Sequence, residues 1–319
     1  MALEPARLQV VPKPWGSTDL QPWNGACHNG AAIGEIWFQR DDPHAPEPAL
    51  LLKLLFTREA LSIQVHPDDD DARSMGLARG KTEAWYVLSA EPGATVGVGL
   101  QSALTQAELR CAIGDGSILQ QVSWRKVVEG DVIFVPAGTI HAIGPGLVLA
   151  EIQQRSDTTF RLFDHGRERE LHIEQGVAAA HAGPAAEQVP PRRLGNARTL
   201  LVGSAFFVLE RLELAAGSLW QLRARPETWL IVIAGEGQLG PAKAGVGEGC
   251  FAEAETIRIA AGQQGMTCLV AYAAAVPSSD LLRPLAANDA VTPPSAASRR
   301  RLLLAAPAVP PISLMEARP

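Results

Sequence analysis

Several features are scarce in this chain of 319 residues, and each scarcity excludes a class of protein. Charged residues make up 19% of the chain and the net charge is −6, so no basic excess exists for non-specific binding of nucleic acid. No apolar run approaches the roughly 20 residues of a membrane span, and residues 1–15 lack the apolar core of a signal peptide. The four cysteines form no CxxC pair and are predicted to be reduced thiols. We therefore expect a cytoplasmic protein that contacts neither nucleic acid nor membranes.

Glycine and proline are frequent, at 29 and 24 residues, and they separate many short apolar runs. Runs of this kind without alternating helices predict a mainly β fold of the antiparallel jelly-roll or barrel type. Strands are predicted at 50–56, 61–66, 81–88, 131–135, 139–143, 147–153 and 158–163, and again at 205–214, 228–234, 246–251 and 266–273.

The two groups of strands indicate two domains. A polar, Ala-rich connection at 165–195 separates them. We expect a first domain at 1–190, a second jelly roll at 191–276, and a Pro- and Ala-rich tail at 277–319.

Only a few short helices are expected. The segment 103–113 has Thr105 at the N-cap position and Glu108 three residues later, which is the pattern of a capping box. Gly114 is predicted to end this helix. The acidic run 68–71 is interpreted as the start of another short helix instead of a calcium site.

The segment SIQVHP predicts a strand with one polar face. Ser62, Gln64 and His66 share that face, because side chains alternate along a strand. This face can point into a barrel, or it can belong to a solvated edge strand with incidental polar residues.

Two further segments carry polar residues at related positions. In GKTEAWYVL, Lys81 and Glu83 share a face, where they could also form a surface salt bridge. In GDVIFVPAGTIHAIG, two turns precede His141, and this order is typical of the second half of a cupin. The fold is therefore predicted to consist of two cupin-type jelly-roll β-barrels with a few short helices.

Gln64, His66, Glu83 and His141 together supply two imidazoles, a carboxylate and an amide oxygen. Mixed nitrogen and oxygen ligands suit zinc and other first-row divalent ions. A single carboxylate leaves such a site net positive, so that it can polarise a carbonyl or hydroxyl group. We predict one metal ion per chain, since the sequence contains no histidine after residue 181.

The segment SDTTFRLFDH predicts one more strand near the metal site. Thr159, Arg161 and Phe163 share a face of it. Arg161 could bind a phosphate or stabilise an enediolate, or it could form a surface ion pair with Asp157 or Asp164.

The segments SIQVHPDD, GKTEAWYVL, VPAGTIHAIG and EIQQRSDTTFRLFD resemble the signature segments of type I mannose-6-phosphate isomerases in their short bacterial form. The agreement runs in order over residues 11–164 and is weaker beyond them. The family's usual tyrosine before the arginine is replaced here by Phe160, which strand parity turns away from the site.

The resemblance implies a role for each matching residue. Ser62 and Lys81 would lie in the substrate site, Trp15 would line it, and Arg161 would be catalytic together with Lys81. The zinc ligands would be Gln64, His66, Glu83 and His141.

The expected activity is the interconversion of mannose 6-phosphate and fructose 6-phosphate through a cis-enediol. The proton-transferring base stays open between Lys81, a water on the metal and an acidic residue elsewhere. The alternatives are a non-catalytic, metal-containing sugar-binding cupin that acts as a sensor, and a metal cupin oxygenase. The expected partner is a small sugar phosphate, and the expected state is a monomer or weak homodimer.

Overall fold

The structure is a computed structural model that describes residues 3–23 and 30–286. Three antiparallel sheets and four short helices make up this part of the chain, which confirms the predicted mainly β class. Cys27 and the greater part of the predicted tail, from residue 287 onward, lie outside the described residues.

A six-stranded sheet forms the centre of the fold. It contains the fully buried strand Leu50–Thr57, which pairs along its whole length with Leu147–Gln154. In spatial order its strands are β2 (Arg7–Ser17), β3 (Ile33–Gln39), β4 (Leu50–Thr57), β11 (Leu147–Gln154), β6 (Glu83–Ala90) and β9 (Val132–Val135).

A five-stranded sheet packs against one face of the six-stranded sheet. Trp85 and Leu149 of the six-stranded sheet meet Val96 and Ile143 of the five-stranded sheet in one buried apolar cluster. The two sheets therefore form a sandwich with the polar site between them. In spatial order the five strands are β12 (Phe160–Phe163), β5 (Ile63–Val65), β10 (His141–Ile143), β7 (Thr95–Leu100) and β8 (Val122–Lys126).

Strand β4 is buried on both faces, which explains its nearly continuous apolar sequence. Leu52 and Leu54 point towards the ten-stranded sheet described below, and they pack with Trp229 and Ile231 of that sheet. The alternate residues of β4 point into the sandwich, so Lys53 faces the polar site.

A ten-stranded sheet contains most of the second half of the chain. The predicted boundaries 1–190 and 191–276 stay a prediction; β1 and β21, which lie outside 191–276, both pair with strands of that range. The main path of the sheet is β1 (Leu3–Pro5), β19 (Gly249–Ala252), β17 (Thr228–Leu239), β20 (Thr256–Tyr272), β15 (Val208–Leu214), β14 (Arg198–Gly203) and β13 (Arg192–Arg193), with β16 (Leu219–Arg223), β18 (Ala242–Gly245) and β21 (Leu282–Pro284) paired beside it.

The helices are α1 (Asp69–Ser74), α2 (Gln106–Asp115), α3 (Ile118–Gln121) and α4 (Ile173–Ala179). The capping box of Thr105 and Glu108 is present at the start of α2. The predicted end at Gly114 is wrong, because the left-handed conformation that closes the helix falls on Gly116, with φ of 80°. No helix in the described part of the chain is long and apolar enough to span a bilayer.

Candidate active site and metal centre

A polar cavity of about 220 Å³ lies between the five-stranded and six-stranded sheets. Its wall combines strand residues of both sheets with the segment that follows β12. The lining residues are Lys13, Trp15, Glu35, Lys53, Leu55, Leu61, Ser62, Gln64, Lys81, Ile143, Glu151, Asp157, Thr159, Arg161 and Arg169.

Three predicted metal ligands meet beside this cavity. His66 follows β5, Glu83 begins β6 and His141 begins β10, and their ligand atoms all lie within 4.8 Å of one another. Antiparallel pairing of β5 with β10 sets His141 directly opposite Gln64. Each of the three side chains is only 1% exposed, so water competes little for the ligand atoms.

The two imidazoles are held with their Nε2 atoms facing Glu83. His66 Nδ1 donates to the Thr158 carbonyl at 2.8 Å, and His141 Nδ1 donates to the Thr139 carbonyl at 2.8 Å. Because a carbonyl can only accept, each ring carries its proton on Nδ1 and keeps a lone pair on Nε2. Each Nε2 lies 3.4 Å from a carboxylate oxygen of Glu83.

Electrostatics keeps both rings neutral. Burial and the neighbouring Lys81 lower the pKa of His66 to about 3. Burial likewise lowers the pKa of His141. Burial raises the pKa of Glu83, but Lys81 and the two neighbouring imidazoles together lower it well below the ordinary value, so Glu83 stays ionised. Two imidazole lone pairs and one carboxylate can therefore hold a metal ion.

Lys81 shows that this cluster accepts a cation. Its Nζ donates to Glu83 Oε2 at 2.5 Å and to His66 Nε2 at 2.9 Å. The ammonium thus contacts two of the atoms that a metal ion would bind. Burial opposes the charge on Lys81, but Glu83 and Glu151 outweigh it and raise the pKa of the lysine.

Gln64 is placed beside the cluster by its pairing with His141. Its Nε2 lies 3.2 Å from His141 Nε2, and its Oε1 accepts a hydrogen bond from Ser62 Oγ at 3.0 Å. Half a turn of the amide would exchange these two atoms and direct the oxygen at the cluster. The predicted role of Gln64 as a fourth ligand stays a prediction.

The other predicted site residues line the same cavity. Trp15 is buried in its wall and Ser62 lies next to Gln64. Arg161 of β12 lies directly opposite Gln64 of β5, and its Nη1 donates to the Glu170 carbonyl at 2.7 Å. Arg161 Nε is buried and has no hydrogen-bond partner among the described residues. Phe160, on the opposite face, packs into the apolar cluster behind the sheet.

A second group of charges in the cavity was not predicted. Lys53 Nζ lies 3.4 Å from Glu151 Oε1 and 3.7 Å from Glu35 Oε2. Glu35 is also 3.3 Å from Lys13 Nζ, and Glu151 accepts from Trp85 Nε1 at 3.1 Å. A signal existed in the sequence, since Lys53 and Glu151 interrupt the apolar runs LLLKLLF and LVLAEIQ.

Lys13 and Arg169 gave no comparable signal. Lys13 belongs to a strand with alternating exposed residues, and Arg169 follows β12 in a polar stretch. Only the three-dimensional structure shows that both side chains line the cavity.

Comparison with known proteins places the chain in a family. No family model matches it. Mannose-6-phosphate isomerase of Streptococcus mutans is 38% identical over 198 residues, which are 60% of this chain and 62% of that protein. Mannose-6-phosphate isomerase ManA of Bacillus subtilis is 34% identical over 233 residues, which are 66% of this chain and 71% of that protein.

A solved structure agrees with this result at the level of the fold. The crystal structure of mannose 6-phosphate isomerase from Bacillus subtilis matches with a TM-score of 0.73 and 24% identity, over 85% of this chain and 100% of that one. The resemblance seen in the sequence motifs is therefore confirmed, and the chain belongs to the mannose-6-phosphate isomerase family.

Proposed function

We propose that this chain is a zinc-dependent isomerase that interconverts mannose 6-phosphate and fructose 6-phosphate through a cis-enediol. The observation that carries the proposal is the buried cluster of His66, Glu83 and His141 beside a cation-rich cavity, in a chain of this family.

Zinc suits the donor set of the cluster. His66, Glu83 and His141 would hold the ion, with the amide oxygen of Gln64 as a fourth ligand. When bound, the ion supplies Lewis-acid polarisation of the substrate oxygens at C1 and C2. One ion per chain is expected, because the described residues contain one such cluster.

The surrounding side chains can do the rest of the chemistry. Arg161 has a buried Nε free of partners among the described residues, so it can donate to the enediolate oxygen. Lys81 and Glu151 both line the cavity and can carry the proton between C1 and C2. Burial and the nearby Glu83 raise the pKa of Glu151, which helps its carboxyl group to hold that proton. Ser62 and Trp15 would orient the sugar.

The test measures fructose 6-phosphate formed from mannose 6-phosphate and, in a parallel assay, fructose formed from free mannose. Mannose 6-phosphate should be converted, and free mannose should have a kcat/KM about 10- to 150-fold lower. Prolonged chelation should stop turnover until zinc is added. Equal kcat/KM values for mannose and mannose 6-phosphate would contradict the proposed recognition of the phosphate group. A preference for glucose 6-phosphate would contradict the assigned sugar. The cytoplasmic location and the monomer or weak homodimer stay predictions.

A further inference from the structure

We propose that Arg169 binds the phosphate group of the substrate and that Asp164 positions Arg169 for this contact. The inference rests on the proposed function, since it assigns the phosphate end of the same cavity. It is carried by the ion pairs of the segment that follows β12 and by the charge balance of the cavity wall.

Asp164 and Arg169 form a two-pronged ion pair in which only the carboxylate is buried. Arg169 Nε donates to Asp164 Oδ2 at 2.7 Å, and Arg169 Nη2 donates to Asp164 Oδ1 at 2.6 Å. The Asp164 side chain is 2% exposed, whereas that of Arg169 is 32% exposed and lines the cavity. This geometry fixes the plane of the guanidinium group.

The ion pair uses one edge of the guanidinium group and leaves the other available. Among the described residues, no hydrogen bond involves Arg169 Nη1. Its two N–H groups are therefore available to an oxyanion, and phosphate oxygens suit such paired donors.

The charge balance of the cavity favours Arg169 over its lysines. Lys81 is paired with Glu83, while Lys13 and Lys53 share Glu35. Nearby carboxylates thus already balance the charge of each lysine, and Lys53 has Glu151 as a second partner.

The arginines of β12 and of the segment after it outnumber their carboxylates. Arg167 and Arg169 share Asp164, because Arg167 Nη2 also donates to its Oδ1 at 3.0 Å. Arg167 has Glu59 as a second partner at 3.3 Å, so two carboxylates balance these two arginines. Arg161 adds a third positive charge, and its Nη1 is bound only to a neutral carbonyl. Asp157 lines the cavity too, but it forms no ion pair with these arginines among the described residues. The surplus positive charge suits a phosphate dianion.

The order of the elements places Arg169 at the outer end of the substrate. Arg161 lies one strand away from Gln64 and thus next to the metal ligands. The segment carrying Arg169 runs alongside the outer side of β12, since His172 N donates to the Arg161 carbonyl at 2.8 Å. A sugar whose C1 and C2 lie at the cluster directs its phosphate away from it, towards this segment.

The test compares Arg169→Ala with Arg167→Ala, which removes the other arginine bound to Asp164. Arg167 does not line the cavity, so it is a matched control. Two quantities are measured for each variant: kinetics with mannose 6-phosphate, and the affinity for inorganic phosphate by calorimetry. For Arg169→Ala, we expect KM and the phosphate Kd to rise about 10- to 150-fold, with a smaller change in kcat. Arg169→Lys should recover part of the loss, because it keeps the charge without the two-pronged pairing.

The positioning role of Asp164 is tested with Asp164→Asn, which keeps the shape and removes the charge. KM should rise more than kcat falls, and combining this change with Arg169→Ala should add little. The proposal is overturned if Arg169→Ala alters the phosphate Kd no more than Arg167→Ala does. The phosphate affinity is measured without turnover, so it tests Arg169 independently of catalysis. If the wild-type protein binds phosphate through Arg169 but does not isomerise mannose 6-phosphate, only the proposed function is refuted.

Discussion

Lys53 offers a demanding test of the buried charges in the cavity wall. Its ammonium is 3.4 Å from Glu151 and 3.7 Å from Glu35, and its side chain is 5% exposed. At an effective dielectric constant of about 20, these attractions amount to about 5 and 4.5 kcal/mol before the cost of burying the charge. Lys53→Met keeps the length of the side chain and leaves two buried carboxylates without this partner. We expect a loss of about 3–5 kcal/mol in the free energy of unfolding at pH 7.

The sign of the pH dependence follows from the carboxylates. Burial raises the pKa of Glu35, but Lys53 and Lys13 outweigh it, so the native pKa is below the ordinary value. In wild type, the stabilisation from Glu35 is present above its unfolded pKa and is lost as the pH falls through the native pKa. In Lys53→Met the native pKa values of Glu35 and Glu151 rise. Native carboxyl groups with raised pKa values lower the free energy of unfolding as the pH increases and they ionise. The loss of unfolding free energy relative to wild type should therefore be largest at neutral pH and shrink towards pH 4.5.

Urea unfolding at pH 7 and pH 5 measures both effects. Arg58→Met is the control, because Arg58 and Glu91 form a pair at 3.9 Å with side chains that are 75% and 69% exposed. That pair should contribute less than about 1 kcal/mol. The proposed role of Lys53 in neutralising the buried carboxylates would be refuted if Lys53→Met were as stable as the control variant. It would also be refuted if the loss of unfolding free energy did not depend on pH.

Three other substitutions have distinct expected outcomes. Arg161→Ala should lower kcat about 100-fold with the bound metal unchanged, as steady-state kinetics and metal analysis would show. An unaltered kcat would contradict a catalytic role for Arg161. Glu83→Gln removes the only carboxylate of the metal cluster and should bring the metal per chain well below one; retained metal would place the ion elsewhere. Thr105→Ala should cost about 1 kcal/mol in urea unfolding, whereas Ser117→Ala should cost less, because Ser117 makes no side-chain cap bond; equal losses would contradict the capping argument.

The candidate ligands of the cluster could be proposed from the sequence because local sequence determines which residues share a face. Alternation along the strand directs Gln64 and His66 to the same side, and a turn pattern marks His141. Glu83 lies on the six-stranded sheet and His141 on the five-stranded sheet, so their closeness depends on how the two sheets pack face to face. Spacing along the chain does not reveal this packing, and it was expected only from the motifs taken together.

The Lys53–Glu151 pair could not be derived in the same way. The two residues are directly opposite on β4 and β11, strands far apart in the chain, and sequence alternation does not reveal which strands are neighbours. The end of α2 has a different explanation. Gly114 and Gly116 can both adopt a positive φ, and only the packed structure shows that Gly116 does so.

The central claim is that the cluster of His66, Glu83 and His141 holds the one metal ion on which isomerisation depends. The most direct measurement is a zinc titration of the metal-free protein, with fructose 6-phosphate formation recorded at each step. We predict no turnover without metal and a linear rise to a plateau at about one zinc per chain. Full turnover without metal, or a plateau that requires a second ion, would contradict the account.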